Sequence, residues 1–230
     1  MLRSEAAAAR PGAFVTLEGV DGAGKTTQVV RLAERLEACG REVVRLREPG
    51  GTAISERIRA LLLDPENSEM APECELLLFE ASRAQLVREV IEPALARGAV
   101  VVCDRFYDST HAYQAGGRGF DDALVRRANE LGCCGVHPDV TLVLDMDPGL
   151  AFERAGARGE HDRMEAEGLA FQRRVREDYR QLAEAEPARV CLVDAAGAPD
   201  EVYARLEETL AAVLPGLFEG VAAQENNHGE

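Results

Sequence analysis

A glycine-rich run that ends in a lysine and a threonine is the clearest chemical signal in this sequence. Residues 19–26 read GVDGAGKT, which matches the spacing G-x-x-x-x-G-K-[ST]. In such a run the glycines let backbone N–H groups surround phosphate oxygens. Lys25 can bridge the β- and γ-phosphates, and the Thr26 hydroxyl can coordinate Mg²⁺. We therefore predict that this segment, the phosphate loop, binds ATP or a similar nucleoside triphosphate with Mg²⁺, rather than forming a chance glycine turn. The predicted nucleotide-binding residues are Gly19, Val20, Asp21, Gly22, Ala23, Gly24, Lys25, Thr26 and Thr27.

A second group of residues points to an acceptor for the phosphoryl group. The N-K-x-D base reader that is typical of GTP hydrolases is not found here, because neither Asn67 nor Asn129 precedes a lysine. Asp104 and Arg105 directly follow a short apolar run, where a guanidinium fork could hold a second phosphate bidentately. An ordinary surface ion pair is the alternative for this Asp-Arg pair.

The elements that must position these residues alternate along the chain. Apolar runs predict five strands, at residues 13–18, 42–46, 99–103, 140–145 and 190–194. Apolar residues at helical spacing predict helices at 25–39, 55–63, 72–97, 121–131, 148–157, 169–185 and 201–214. Continuous apolar strands separated by helices indicate an α/β fold of the three-layer P-loop NTPase type, with a five-stranded parallel sheet covered on both faces. Ligands of such sheets bind beyond the carboxyl ends of the strands, where the phosphate loop lies.

Composition and charge restrict the classes of protein that fit. The 230 residues include 26 basic and 41 acidic side chains, which gives a net charge of −15. This acidity argues against a broad basic face for nucleic acid. The sequence has no run of about 18 apolar residues, so we expect no membrane span. The six cysteines form no C-x-x-C pair, and we interpret them as reduced thiols of a cytoplasmic protein. We expect one domain at residues 13–215, a disordered extension at 1–12 and a tail at 216–230.

Several motifs together resemble the bacterial type of thymidylate kinase, over residues 14–214. They are EGVDGAGKTT at 18–27, REPGGT at 47–52, Phe79 with Arg83, Asp104-Arg105, STHAYQ at 109–114 and RGEHDR at 158–163. The resemblance implies transfer of the γ-phosphoryl group of ATP to dTMP with Mg²⁺, in dTTP biosynthesis, by a homodimer. Lys25, Asp21, Arg105, Arg158 and Arg163 would then be catalytic, and Thr26 with Asp104 would hold the metal.

The same resemblance implies a set of residues for the dTMP substrate. Phe79 would stack on thymine and Arg83, four residues later on the same helix face, would bind its O4. A core phenylalanine beside a surface arginine is the alternative for this pair. Tyr113 would pack under the deoxyribose and Gln114 would meet the N3 edge of the base. The remaining substrate residues are Arg47, Pro49, Arg105 and Ser109, with Arg47 either orienting the turn at Pro49 or reaching the acceptor phosphate.

The charged segment at residues 156–168 allows two interpretations. It can be a solvated loop between two helices, which is the usual role of charge runs. It can also be a lid that closes over ATP and brings Arg158 and Arg163 to the transferring phosphoryl group. We favour the lid because Gly22 stands where some relatives carry an arginine, so another segment must supply that cation. A kinase for dUMP or another nucleoside monophosphate, and a regulatory nucleotide-binding protein, are the alternative functions.

Overall fold

A parallel sheet lies at the centre of the molecule. The computed structural model describes residues 11–156, 163–164 and 167–219. Its strands are β1 (Ala13–Glu18), β2 (Val43–Arg47), β3 (Val100–Asp104), β4 (Val140–Asp145) and β5 (Val190–Asp194). They are arranged in the order β2-β3-β1-β4-β5, and every neighbouring pair is parallel. The predicted five-stranded α/β fold is confirmed.

Helices lie between successive strands in the chain and cover both faces of the sheet. They are α1 (Lys25–Ala38), α2 (Ala53–Leu63), α3 (Pro72–Leu86), α4 (Glu92–Ala96), α5 (Tyr107–Thr110), α6 (Asp122–Gly132), α7 (Pro148–Gly156), α8 (Leu169–Ala185) and α9 (Pro199–Val213). The predicted single helix at 72–97 is α3 and α4 joined by a π-helical turn at Val87–Ile91. A second π-helical segment, His111–Gly117, continues α5. Sequence periodicity does not predict it because four consecutive residues, 111–114, are buried.

Successive side chains of each strand point to opposite faces of the sheet, and each face has its own hydrophobic core. In β1, Val15 and Leu17 face one side and Phe14 faces the other, and all three are fully buried. The first side packs against α1, α8 and α9 through residues such as Leu32, Val175 and Leu206. The second packs against the α3–α4 region and Phe106 through residues such as Leu86, Ile91 and Val101. These two cores fix the carboxyl ends of β1 and β3 side by side.

The phosphate loop is held tightly against α7. Gly22 has a φ of +85°, and a Cβ placed there would lie 2.0 Å from the carbonyl oxygen of Ala151. A glycine at this position is therefore required by both backbone conformation and space. Gly24, with a φ of +97°, precedes α1 and has open space around it.

The first residues after the predicted domain, which ends at 215, pack against it. At the C-terminal side, Leu217 is buried and Arg41 donates hydrogen bonds to the carbonyl oxygens of Gly216 and Leu217. The first residues of the predicted tail therefore pack on the domain. Outside the described residues lie 1–10 of the predicted extension at 1–12, 220–230 of the predicted tail, and 157–162 and 165–166 of the predicted lid, which include Arg158. Within the described ranges, every helix is too short or too polar to cross a bilayer.

Candidate active site

A cavity of about 460 Å³ opens at the carboxyl ends of the strands. The sheet places it there because β1, β2 and β3 end at Glu18, Arg47 and Asp104, immediately before the segments that form its walls. The predicted residues that line it are Asp21, Gly22, Gly24, Lys25, Thr26, Thr27, Arg47, Pro49, Phe79, Arg83, Asp104, Arg105, Ser109, Tyr113 and Gln114. Residues predicted to bind a nucleotide and residues predicted to bind an acceptor thus share one cavity.

Lys25 is held by the phosphate loop itself. Its Nζ donates hydrogen bonds to the carbonyl oxygens of Gly19, at 3.0 Å, and Val20, at 2.9 Å. The side chain is 7% exposed. Burial and the nearby Arg105 guanidinium lower the pKa of Lys25 to about 8. An anion entering the loop would restore the charge balance around this ammonium group.

Thr26 and Asp104 meet where the first turn of α1 faces the end of β3. The Thr26 hydroxyl donates a hydrogen bond of 2.7 Å to Oδ2 of Asp104. A hydroxyl and a carboxylate are the hard oxygen donors that Mg²⁺ prefers, so the two residues fit the predicted metal. Their side chains also line the same cavity as Lys25.

Arg105 is fixed in place by both its backbone and its guanidinium. Its φ is +72°, an uncommon value for a residue with a side chain, and its N–H donates to the carbonyl oxygen of Leu17 at 3.0 Å. The guanidinium pairs with Asp21, donates to the hydroxyls of Ser109 at 3.0 Å and Tyr113 at 3.1 Å, and lies 5.0 Å from the Tyr113 ring centre. This cation is therefore presented to the cavity in one orientation.

Asp21 supplies the opposing charge. Its carboxylate accepts hydrogen bonds from the Tyr113 hydroxyl, at 3.0 Å, and from Nε2 of Gln172, at 3.2 Å. Burial acts to raise the pKa of Asp21, but the positive charges of Arg105 and Lys25 outweigh it and lower that pKa. Asp21 therefore stays ionised between the two predicted phosphate-binding cations.

Glu18 lies beneath this group and was not assigned a role from the sequence. It accepts hydrogen bonds from the backbone N–H of Phe106 at 2.6 Å, the Tyr179 hydroxyl at 2.9 Å, and the Ser109 hydroxyl. Burial, with the repulsion of Asp108, raises the pKa of Glu18 to about 7. In the sequence, Glu18 stands out only as an acidic residue at the end of a mostly apolar strand.

Arg83 lines the cavity next to Phe79 and is 1% exposed. This burial excludes the interpretation of a surface arginine. Its Nη1 donates to Asn129 at 3.1 Å, and its Nη2 donates to the Thr110 hydroxyl at 2.6 Å. Thr110 also lines the cavity, whereas the predicted Ser109 bonds to Arg105 and Glu18. The predicted contact of Arg83 with thymine O4 stays a prediction.

Two buried carboxylates hold the Arg83 guanidinium. Nη1 lies 2.6 Å from Oε1 of Glu80, and Nε lies 2.9 Å from Oε1 of Glu48. Burial raises the pKa of Glu48 to about 8, against the opposing effect of Arg83. Glu48 was visible in the sequence only as part of the REPGGT block, and Glu80 gave no signal beyond its helical spacing from Arg83.

Gln114 lines the cavity, and a neighbouring carboxylate orients its amide group. Its Nε2 donates to Oε1 of Glu75 at 2.7 Å, which fixes the orientation of the amide because a carboxylate only accepts. Its Oε1 is buried and has no hydrogen-bond partner among the residues that the structure describes. Glu75 itself is anchored by Arg118, at 2.8 and 2.9 Å, and by Arg163. Sequence analysis missed Glu75 and Arg118.

Arg163 of the predicted lid, Arg154 of α7 and Arg47 lie in different surroundings. Arg163 pairs with Glu75 and donates to the carbonyl oxygen of Leu62 at 2.9 Å, whereas Arg154 lines the cavity. Contact of Arg163 with a phosphoryl group stays a prediction. Arg47 donates to the carbonyl oxygen of Pro49 at 3.1 Å and also lines the cavity, so both of its predicted roles stay predictions.

Comparison with known proteins identifies the family. The family model described as thymidylate kinase matches residues 17–206. The chain belongs to the thymidylate kinase family. It is 49% identical over 209 residues to the thymidylate kinase of Pelobacter propionicus, covering 88% of this chain and 94% of the relative. It is 50% identical over 195 residues to that of Deinococcus radiodurans, covering 85% and 94%.

A solved structure shows the same relationship. The crystal structure of thymidylate kinase from Ehrlichia chaffeensis is similar with a TM-score of 0.73 at 33% identity, and the match covers 86% of this chain and 98% of that one. The resemblance inferred from the motifs is confirmed. Family membership also explains why donor-side and acceptor-side residues share one cavity, because such a kinase must bring two phosphorylated substrates together.

Proposed function

We propose that this chain transfers the γ-phosphoryl group of ATP to dTMP, giving dTDP and ADP, with Mg²⁺ as cofactor and as a step of dTTP biosynthesis. The observation that carries the proposal is the shared cavity, which is lined by Lys25 of the phosphate loop and by Arg105 at the end of β3, both close enough to Asp21 to lower its pKa. Lys25 serves the phosphates of ATP, and a second fixed cation such as Arg105 is what the phosphate of an acceptor requires.

On the donor side, the phosphate loop and Lys25 bind the phosphates of ATP. The ammonium group exchanges its bonds to the Gly19 and Val20 carbonyls for bonds to phosphate oxygens. Thr26 and Asp104 would hold Mg²⁺, which when bound neutralises phosphate charge. Backbone N–H groups at the start of α1 add partial positive charge to the same region.

On the acceptor side, the Arg105 guanidinium binds the phosphate of dTMP. One oxygen of that phosphate attacks the γ-phosphorus, a new P–O bond forms, and the bond to the β-phosphate oxygen breaks to release ADP. Holding the two phosphates in line supplies much of the acceleration, because little covalent chemistry is asked of the protein. Asp21, through Tyr113 and Arg105, keeps the clamp in a single orientation.

In this proposal, the choice of base depends on the side-chain oxygen of Gln114, Oε1, as a hydrogen-bond acceptor. Thymine carries a hydrogen on N3 and can donate to Gln114 Oε1, whereas N3 of cytosine is itself an acceptor. Phe79 offers an aromatic face to the base, and the buried Tyr113 ring, which lines the same cavity, would pack under the deoxyribose. The site therefore favours a deoxypyrimidine monophosphate with an N3 hydrogen.

A coupled assay of ADP release tests this proposal. We expect turnover with dTMP well above turnover with dUMP, dCMP or AMP, and little ADP release without an acceptor. Lys25→Ala and Arg105→Ala should lose turnover, while Arg97→Ala, which removes a half-exposed guanidinium paired with Glu42, is the matched control. Equal rates with AMP and dTMP would contradict the base assignment, and full turnover by Arg105→Ala would contradict the clamp.

We further propose a homodimer in the cytoplasm. Neighbouring helices α2, α3 and α6 leave large apolar side chains exposed on the surface, and a second copy of the chain would cover them: Ile54, Leu61, Leu77, Leu124 and Leu131. All six cysteines are free, which fits a reducing compartment. Light scattering should give a dimer mass for the wild type and a monomer mass for Leu77→Glu. Leu192→Glu, at an exposed leucine of β5, is the control, and a dimer of unchanged affinity in Leu77→Glu would refute this interface.

A further inference from the structure

A second cavity, of about 200 Å³, lies apart from Lys25 and the phosphate loop. Three residues of its wall carry three different metal-binding groups: the carboxylate of Glu130, the thiol of Cys133 and the imidazole of His137. Their ligand atoms all lie within 4.8 Å of one another. None of the three takes part in the phosphoryl transfer proposed above.

The chain path brings these residues together. Glu130 and Cys133 are one helical turn apart at the end of α6, so their side chains share a face. Cys134, with a φ of +53°, and Gly135, with a φ of +82°, are both left-handed and reverse the chain. A hydrogen bond of 2.8 Å from the N–H of Val136 to the carbonyl oxygen of Cys133 closes this turn. His137 thereby returns beside the end of the helix that carries its two partners.

The burial of the three residues suits an ion bound near the surface. Cys133 is 1% exposed, whereas Glu130 and His137 are exposed. An ion between them would contact sulfur on the protein side and face solvent on the other. The one arginine lining this cavity among the described residues, Arg126, is paired with Asp122 at 2.8 Å and lies 3.7 Å from Glu186, so its charge is offset.

We propose that Glu130, Cys133 and His137 bind one Zn²⁺ ion, with a fourth position open to solvent. The donor set selects zinc, because Mg²⁺ and Ca²⁺ take oxygen ligands while Zn²⁺ accepts thiolate, imidazole and carboxylate together. Bond lengths of about 2.0–2.3 Å place tetrahedral ligands about 3.5 Å apart. The side chains must therefore close by about 1 Å, and the exposed Glu130 and His137 can do so by rotation.

Metal titration of the full chain tests this site without reference to kinase activity. Metal-free protein is titrated with Zn²⁺ in a calorimeter and with Co²⁺ by visible absorption, in excess Mg²⁺ to compete for the Mg²⁺ site proposed at Thr26 and Asp104. We expect one equivalent to bind and Co²⁺ to give a thiolate-to-cobalt charge-transfer band. Cys133→Ser should abolish the band and weaken Zn²⁺ binding by about tenfold or more.

Two further variants make the result decisive. Cys134→Ser removes the adjacent thiol, which is not part of the cluster, and should leave the band and the affinity unchanged. His137→Asn changes an exposed side chain and should weaken binding even if Cys133→Ser folds poorly. Failure of the wild type to bind Zn²⁺, or equal binding by Cys133→Ser and Cys134→Ser, would overturn the proposal. Neither result bears on phosphoryl transfer.

Discussion

Replacement of Gln114 by methionine probes how the base is chosen. Gln114 is fully buried, its Nε2 is bonded to Glu75, and its Oε1 has no hydrogen-bond partner among the described residues. Methionine has a similar size and flexibility, so Gln114→Met removes the acceptor while filling the space. Glu75 keeps its bonds to Arg118 and Arg163, so the change does not strand a buried charge.

The size of the effect follows from the hydrogen bond that is lost. A buried donor without an acceptor costs about 1–3 kcal/mol, and each 1.4 kcal/mol is about a tenfold change. We therefore expect kcat/KM for dTMP to fall by about 5- to 150-fold in Gln114→Met. For dCMP the wild-type enzyme opposes two acceptors, and the variant removes that repulsion. The preference for dTMP over dCMP should fall by at least the same factor.

The assay measures kcat/KM for both nucleotides by ADP release, with single turnover at high enzyme concentration where dCMP is slow. Gln85→Met is the matched control, because Gln85 also donates its amide to a carboxylate, that of Glu89, but on the surface of α3. A melting curve establishes that Gln114→Met is folded. If the folded variant keeps the wild-type ratio of dTMP to dCMP within about twofold, the inference that Gln114 reads N3 is refuted.

Three other predictions use different parts of the structure. Arg105→Lys should raise KM for dTMP by about tenfold or more in steady-state kinetics, because an ammonium lacks the bidentate fork; an unchanged KM would argue against the clamp. Gly22→Ala should lower the melting temperature more than Gly24→Ala, since only the former meets the Ala151 carbonyl; equal losses would contradict the packing of α7. Burial opposes protonation of His111, but hydrogen bonds to two aspartates outweigh burial and raise its pKa above 6.5. The protonated imidazole therefore stabilises the folded state fully below about pH 6.5, and this stabilisation is lost as pH rises through the folded-state pKa. In urea unfolding, the stability difference between wild type and His111→Leu should shrink over that rise. A difference that stays constant with pH would show that folding does not shift the pKa of His111.

The sequence predicts the framework of the site because its main signals are local. Each strand is a continuous apolar run, and the phosphate loop has a fixed spacing of residues. Parallel strands place their carboxyl ends at one edge, so the phosphate loop after β1 and the Asp104-Arg105 pair are expected at that edge. The direct contact of Thr26 with Asp104 also requires β1 and β3 to be neighbours. The register of β1 and β3, with Leu17 opposite Asp104, then sets Arg105 beside the loop.

The parts that escaped prediction depend on partners distant in the chain. Glu75 contacts Gln114 across 39 positions, and nothing in either segment signals the pairing. Glu18 lies under Arg105 only because β1 and β3 are neighbours. The π-helical segment His111–Gly117 is buried on several sides, so it lacks the apolar stripe that marks a surface helix.

The identity of the product tests the central claim most directly. The purified chain is incubated with Mg²⁺, dTMP and ATP labelled in its γ-phosphate, and the label is followed by chromatography and ³¹P NMR. We predict that the label appears in the β-phosphate of dTDP, with one ADP formed for each dTDP, and that Lys25→Ala gives neither. Label released as inorganic phosphate at the same rate with and without dTMP would contradict the proposed phosphoryl transfer.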